Sequence, residues 1–217
     1  MARLRAAASL LPKRGRIADV GAGDGALSLL LAAEAEHVQV IATEAASGPY
    51  ARLAAACRGE ARIALRFGSG LSPLRGERLD AIAVLGMGAS TILQILEGAA
   101  EHPGTLFVLG PMQHTPVLRR GLRERSLAIV DERLAVEGER VYELIAARIA
   151  PSPPLSWLDQ QLGPVVRRTH PPGFARLCEQ RLRLLRARLR GAKGSLHLEL
   201  EGHIRAIEEE YDGPRDA

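Results

Sequence analysis

Cysteine, lysine and aromatic side chains are all scarce in this 217-residue chain, and each shortage excludes something. Cys57 and Cys178 stand alone, without C-x-x-C spacing, so neither a disulfide framework nor a zinc or other metal site is indicated. Both are expected to be buried, reduced thiols. Lys13 and Lys193 are the only lysines, so the net charge of +4 rests on arginine, the better bidentate ligand for phosphate. Charge of this size permits a polyanionic partner without demanding one. Aromatic residues make up 3% of the chain and leave few rings to stack on a planar ligand. Long hydrophobic runs are missing too: none approaches the ~18 residues of a membrane span. Residues 1–11 carry Arg3 and Arg5 in an alanine-leucine stretch similar to a secretory leader, but it is short and stops at Pro12-Lys13-Arg14. A cytoplasmic protein, outside any membrane, is expected.

What remains is an ordinary globular composition, 47% hydrophobic and 25% charged, long enough for one well-buried domain with a modest appendage. Strand-like and helix-like runs alternate along it. Residues 3–11 read as a helix, 16–20 as a strand, 26–35 as a helix and 37–43 as a strand ending at Glu44. Gly48-Pro49 opens a helix through residue 58, and 61–67 form a third strand broken by Gly68-Ser69-Gly70. The nearly continuous apolar run 79–85, ending in Gly86-Met87-Gly88, is expected at the centre of a parallel sheet. A helix over 90–100, a strand over 105–109 and a helix over 115–125 follow. Two last strands, 127–134 and 140–149, are joined through Glu137-Gly138-Glu139 without a helix, which implies one antiparallel strand in a doubly wound α/β sheet. Pro151-Ser152-Pro153-Pro154 reads as a linker, dividing the chain into a catalytic domain over 1–150 and a C-terminal helical hairpin over 151–217. The hairpin helices, 174–190 and 196–211, are arginine-rich and glutamate-rich in turn, so their charges can pair with each other.

Residues 16–25 run an apolar strand into the turn Gly21-Ala22-Gly23-Asp24-Gly25 just before a helix. Residues without side chains let backbone lie against a ligand, and the free N–H groups of the following helix face the same place. Gly21, Gly23 and Ala26 also satisfy the dinucleotide pattern G-x-G-x-x-G/A. Asp19 brings negative charge beside the turn, which is awkward for a pyrophosphate and suits a cationic or hydroxyl-rich ligand such as S-adenosylmethionine. For that cofactor, Asp19 and the turn line the methionine portion and Glu44 accepts the ribose hydroxyls, as it would from NAD. Ser69, Gly70 and Leu71 lie where adenine is held, and Gly86, Met87 and Gly88 border the transferred methyl group. All fall at the carboxyl ends of successive strands, where open α/β sheets bind ligands. The closing strand pair suits a seven-stranded, Rossmann-like class I methyltransferase fold rather than an ordinary dinucleotide fold.

The chain resembles the bacterial tRNA adenine-N1 methyltransferases that act on adenosine 22. The resemblance is carried by Arg3-Leu4, Ala18-Asp19-Val20-Gly21, Glu44 with Gly48-Pro49-Tyr50, Gly70-Leu71, Leu85-Gly86-Met87-Gly88, Pro111, Tyr142-Glu143-Leu144 and Leu162-Gly163-Pro164. It implies a seven-stranded catalytic domain, a C-terminal hairpin involved in tRNA binding, and methyl transfer to N1 of adenine. Two stretches depart from the family pattern. Gly23, Asp24 and Ala26 stand where relatives carry Asp, His and Tyr, and Gly110-Pro111-Met112 replaces Gln-Pro-Asn. Methylation leaves a cationic purine, and Asp24 is the candidate catalytic carboxylate to stabilise it; a helix N-terminal acid is its other reading. Arg3, Arg5, Arg167, Arg168, Arg176, Arg181 and Arg183 are the candidate contacts to tRNA phosphates. A same-fold methyltransferase for another RNA or small molecule, and an inactive RNA-binding relative, are the alternatives. An NAD-dependent oxidoreductase is disfavoured by Asp19 and the closing strand pair. Nothing in the sequence sets the oligomeric state.

Overall fold

The computed structural model describes residues 1–34 and 37–211. Runs with every residue buried, 17–20, 81–84 and 106–111, form the middle of a sheet covered on both faces. The strands are β1 (Arg14–Val20), β2 (His37–Glu44), β3 (Ile63–Phe67), β4 (Ala81–Met87), β5 (Leu106–Pro111), β6 (Leu127–Glu137) and β7 (Arg140–Ile149). Their order is β3-β2-β1-β4-β5-β7-β6, parallel through β5, with β7 antiparallel to both of its neighbours. The expected reversal is therefore present. Its tight turn is made by Gly138 at φ 57° and Glu139.

Alternation along the strands divides the core between two faces. Ile17, Ala81, Ala83 and Val108 pack with α1 (Ala2–Leu10), α2 (Ala26–Glu34) and α3 (Ser47–Ala56) through Leu10, Leu31 and Leu53. Ala18, Ile82, Val84 and Phe107 face α4 (Ala89–Ile95) and α5 (Thr115–Glu124) through Ile92, Leu118 and Leu122. Cys57 and Cys178 are buried free thiols, as expected. Ala35, the expected last residue of the second helix, lies outside the described residues.

Several boundaries differ from expectation by two or three residues, and three of the differences bear on the site. Strand β4 does not end at residue 85: it continues through a bulge between Leu85 and Met87, with Gly86 at φ 79°. Strand β5 likewise runs on to Pro111 beside Met87. The helix expected over 90–100 is α4 followed by a 3-10 turn, Leu96–Glu101. Two short helices went unread, α6 (Trp157–Leu162) and α7 (Pro164–Thr169). A capping box starts α6: Ser156 Oγ accepts from Asp159 N–H at 3.0 Å and Asp159 Oδ2 accepts from Ser156 N–H at 3.1 Å. Pro164 sits in the first turn of α7.

Helices α6 and α7 pack with α8 (Phe174–Leu189) and α9 (Ser195–Tyr211) around a third core that includes Leu162, Val166, Leu177, Leu182, Ile204 and Ile207. Four buried charges bind these helices to the sheet. Arg119 of α5 donates from Nε to Glu132 Oε1 at 2.8 Å and lies 2.9 Å from Glu143 Oε2 through Nη2. Arg181 of α8 donates to Glu143 Oε1 at 2.5 Å and to the Gln161 carbonyl at 3.0 Å. Glu132 Oε2 also accepts from Val165 N–H at 2.9 Å. Burial pushes the Glu143 carboxyl up, but the Arg181 and Arg119 cations hold it below the usual carboxylate range. Two cations meet two anions, so the cluster is neutral as a whole.

Candidate active site

The glycine turn after β1 is tied to the end of β2. Gly21 and Ala22 N–H both donate to the Thr43 carbonyl at 2.9 Å, and Gly23 N–H donates to Glu44 Oε2 at 3.2 Å. Glu44 Oε1 accepts from Ala45 and Ala46 N–H at 2.8 and 3.1 Å. Gly21 has φ 71°, and a Cβ built on it would lie 2.0 Å from Met87 Cε. Met87 therefore closes directly over the turn, a contact that glycine permits.

Asp19 is 3% exposed beneath this turn and accepts from Ser28 Oγ at 2.7 Å. Desolvation pushes its carboxyl up to about 6, against the pull of the Ser28 hydrogen bonds, with Asp24 and Glu44 adding repulsion. Among the described residues no basic group offsets it. A buried carboxylate without a cation suits a positively charged ligand nearby.

Above the switch between β1 and β4 opens a cleft of about 460 Å³. Gly21, Ser69, Gly70, Leu71 and Met87, all picked from the sequence, line it. Asp19, Gly23 and Glu44 belong to the turn framework beside it, Gly86 is exposed in the bulge, and Gly88 caps α4. The opposite wall was not foreseen: Thr91, Gln94 and Ile95 of α4, with Arg75 and Glu101 at the rim. Their signal lay in the helix that Gly88 starts, whose i, i+3 and i+4 positions 91, 94 and 95 share one face.

Asp24 is exposed and accepts from Ala26 N–H at 3.3 Å, holding the first turn of α2; it is not among the cleft-lining residues. At the end of β5, Met112 N–H donates to the Met87 carbonyl at 2.9 Å. Arg3 donates from Nη1 to Met112 Sδ at 3.0 Å, with its guanidinium 5.2 Å from the centre of the Tyr142 ring.

The other expected phosphate ligands divide by environment. Arg5, Arg168 and Arg183 are exposed, with no ion pair to any described residue. Arg176 is exposed and donates to the Gly138 carbonyl at 2.7 Å. Arg167 is held at 2.7 Å by both Asp159 and Glu210. Arg181 requires correction: it is 8% exposed and committed to Glu143, so desolvation and pairing withdraw it from the surface where a phosphate would lie. Pairing between the hairpin helices occurs at Arg186 and Glu208, 2.7 Å apart. Among the described residues no three His, Cys, Asp or Glu cluster as metal ligands, and no helix is long and apolar enough to cross a membrane.

A cleft at the switch point, a glycine turn and a reversed β7 together define a Rossmann-like methyltransferase fold. Residues 1–145 match the family model described as methyltransferase domain, and the chain belongs to that family. It is 28% identical over 152 residues to the tRNA (adenine(22)-N(1))-methyltransferase of Bacillus subtilis (strain 168), a match covering 67% of this chain and 63% of that protein. The matched part thus spans less than two thirds of that relative's length. The Streptococcus pneumoniae Sp1610 protein, solved in complex with S-adenosyl-L-methionine, superposes with a TM-score of 0.86 at 25% identity, covering 97% of this chain and 99% of that one. The B. subtilis m1A22 tRNA methyltransferase TrmK superposes with a TM-score of 0.82 at 23% identity over 97% of each chain, a likeness of fold.

Proposed function

We propose that this protein transfers a methyl group from S-adenosylmethionine to N1 of an adenosine in tRNA, with adenosine 22 as the target. The observation that carries the reading is the similarity to the B. subtilis adenine-22 methyltransferase over 152 residues. The likeness to a protein solved with S-adenosyl-L-methionine supports the same cofactor. So does the buried, uncompensated Asp19 carboxylate.

Bound S-adenosylmethionine supplies an electrophilic methyl group on a sulfonium. Asp19 and the Gly21 to Gly23 turn hold its methionine end, Glu44 accepts from the ribose hydroxyls, and Ser69, Gly70 and Leu71 cover the adenine. Met87, anchored through its carbonyl to Met112 N–H, borders the reacting centre. N1 of neutral adenine has a free lone pair, so the chain's main tasks are alignment and exclusion of water rather than proton removal. Asp24, in the turn beside Gly23, stabilises the cationic purine that forms. Residues 1–150 carry this chemistry and 151–217 grip the RNA, in the cytoplasm.

The test is incubation with methyl-labelled donor and unmodified tRNA transcript, followed by nucleoside mapping. Label in 1-methyladenosine at position 22 is expected. Label in another nucleoside overturns the assigned acceptor, and donor binding without transfer overturns the assigned activity.

A further inference from the structure

A second depression, of about 670 Å³, lies between the start of α5, helix α6 and helix α8, outside the cofactor cleft. Its chemistry is mixed in a particular way. Trp157 and Leu184 supply apolar surface, Gln160 an amide, and Arg120, Arg188 and His114 basic groups; no acid lines it. Leu184 is 56% exposed although it is large and apolar. Trp157 is held flat by a parallel stack on His203, with ring centroids 3.8 Å apart and planes at 4°. Arg120 and Arg188 are exposed and ion-paired with no described residue. Arg181 in the floor is neutralised within the buried cluster, so the free positive charge of the groove comes from Arg120 and Arg188.

A ring, an exposed leucine and an amide beside two unpaired guanidiniums match a planar base attached to a phosphate. The groove is also close to the reacting end of the cleft. Met112 is hydrogen-bonded to Met87, which lines the cleft, and His114, two residues further on, lines the groove. Two residues of chain span at most about 7 Å and neighbouring strands lie about 5 Å apart, so His114 is within about 12 Å of Met87, the reach of one or two nucleotides of an extended strand.

We infer that the α5–α6–α8 groove is a nucleotide subsite: it holds an unstacked nucleotide of the RNA substrate near the target base, stacking its base against Trp157 and Leu184 and pairing its phosphate with Arg120 and Arg188. The inference rests on the tRNA reading above. An acidic peptide is the competing occupant, but it would leave the ring and Leu184 without a flat partner.

Trp157 is the single tryptophan of the chain, so the tryptophan signal comes from one ring that lines this groove and stacks on His203. Full-length protein is titrated with an unmodified tRNA transcript, and separately with poly-glutamate, at several salt concentrations. Saturable quenching by the transcript is expected, with little response to poly-glutamate. The double variant Arg120→Gln, Arg188→Gln is expected to bind the transcript roughly tenfold more weakly and to lower the salt slope by about 1, the loss of one phosphate contact. Leu184→Asp is expected to weaken binding as well, while S-adenosylmethionine affinity stays unchanged in both variants. Unchanged tRNA affinity and salt slope in the double variant, or equal quenching by poly-glutamate, overturns the subsite. Quenching and its loss on mutation are read without turnover: a transcript that binds here but is never methylated sinks the methyl-transfer reading and leaves the subsite standing.

Discussion

Asp19 is enclosed beneath the glycine turn with Ser28 as its hydroxyl donor, and its carboxyl is raised to about 6 from an ordinary 3.8. The protonated form is therefore favoured by folding. Its contribution is fully present below about pH 4 and is lost as pH rises through about 6, a loss of about 3 kcal/mol for a shift of about two units. Asp19→Asn is accordingly expected to raise the melting temperature of the ligand-free protein at pH 8, measured by calorimetry. A cationic ligand favours the ionised carboxylate, so affinity for S-adenosylmethionine should climb as pH rises through 6 and then level off. In Asp19→Asn that climb should vanish; titration calorimetry between pH 5 and 8 reads both, and a climb that persists in the variant removes Asp19 from the binding site. At Gly21 the Met87 methyl can swing aside, but φ 71° cannot be adopted freely by alanine. Gly21→Ala should cost about 1–2 kcal/mol of stability and weaken cofactor binding. Asp24→Asn keeps an oxygen acceptor for Ala26 N–H, so stability and cofactor affinity should hold while turnover falls. Undiminished turnover would leave Asp24 as a helix-starting residue only.

Helices and strands differ in how openly the sequence declared them. The strands were legible because Ile17, Ile82 and Phe107 sit in apolar runs bounded by glycine and charge, and the pair β6–β7 announced itself by lacking a helix between two such runs. Helices α6 and α7 were not, because each is only six residues long and the stretch is punctuated by Pro154, Pro164 and Pro171. The Ser156 to Asp159 spacing was the local sign of α6. Arg181, expected as a phosphate contact on an arginine-rich helix, is buried instead. It shares a face with Leu177 and Leu185 at i, i+4 spacing, and both are buried. Its partner Glu143 was noticed as part of a family motif, but no one-dimensional pattern brings residues 119, 132, 143 and 181 together. Removing one charge leaves the others buried without balance. Glu143→Gln should destabilise by about 3–5 kcal/mol, read as a lower urea midpoint at unchanged slope. A change under about 1 kcal/mol would mean that water reaches the cluster once Glu143 is neutral.

At the scale of the whole molecule, the cofactor cleft and the basic groove occupy neighbouring positions at one end of the sheet, while the acidic residues of α9 are partly paired with arginines of α7 and α8. Exposed Arg5, Arg120, Arg168, Arg183 and Arg188 remain without ion pairs to described residues. Affinity for tRNA should fall steeply and linearly on a log–log plot between low and moderate salt, with filter binding as the measurement. A flat response would remove these arginines from RNA recognition.

The neutral cluster of Arg119, Glu132, Glu143 and Arg181 sits behind side chains that keep ions out. Mobile salt weakens exposed attractions and hardly reaches buried ones. Ionic strength should therefore strip a polyanion from the outside of this protein while its C-terminal helices stay seated. A high-salt wash becomes a way to recover nucleic-acid-free protein with its architecture whole.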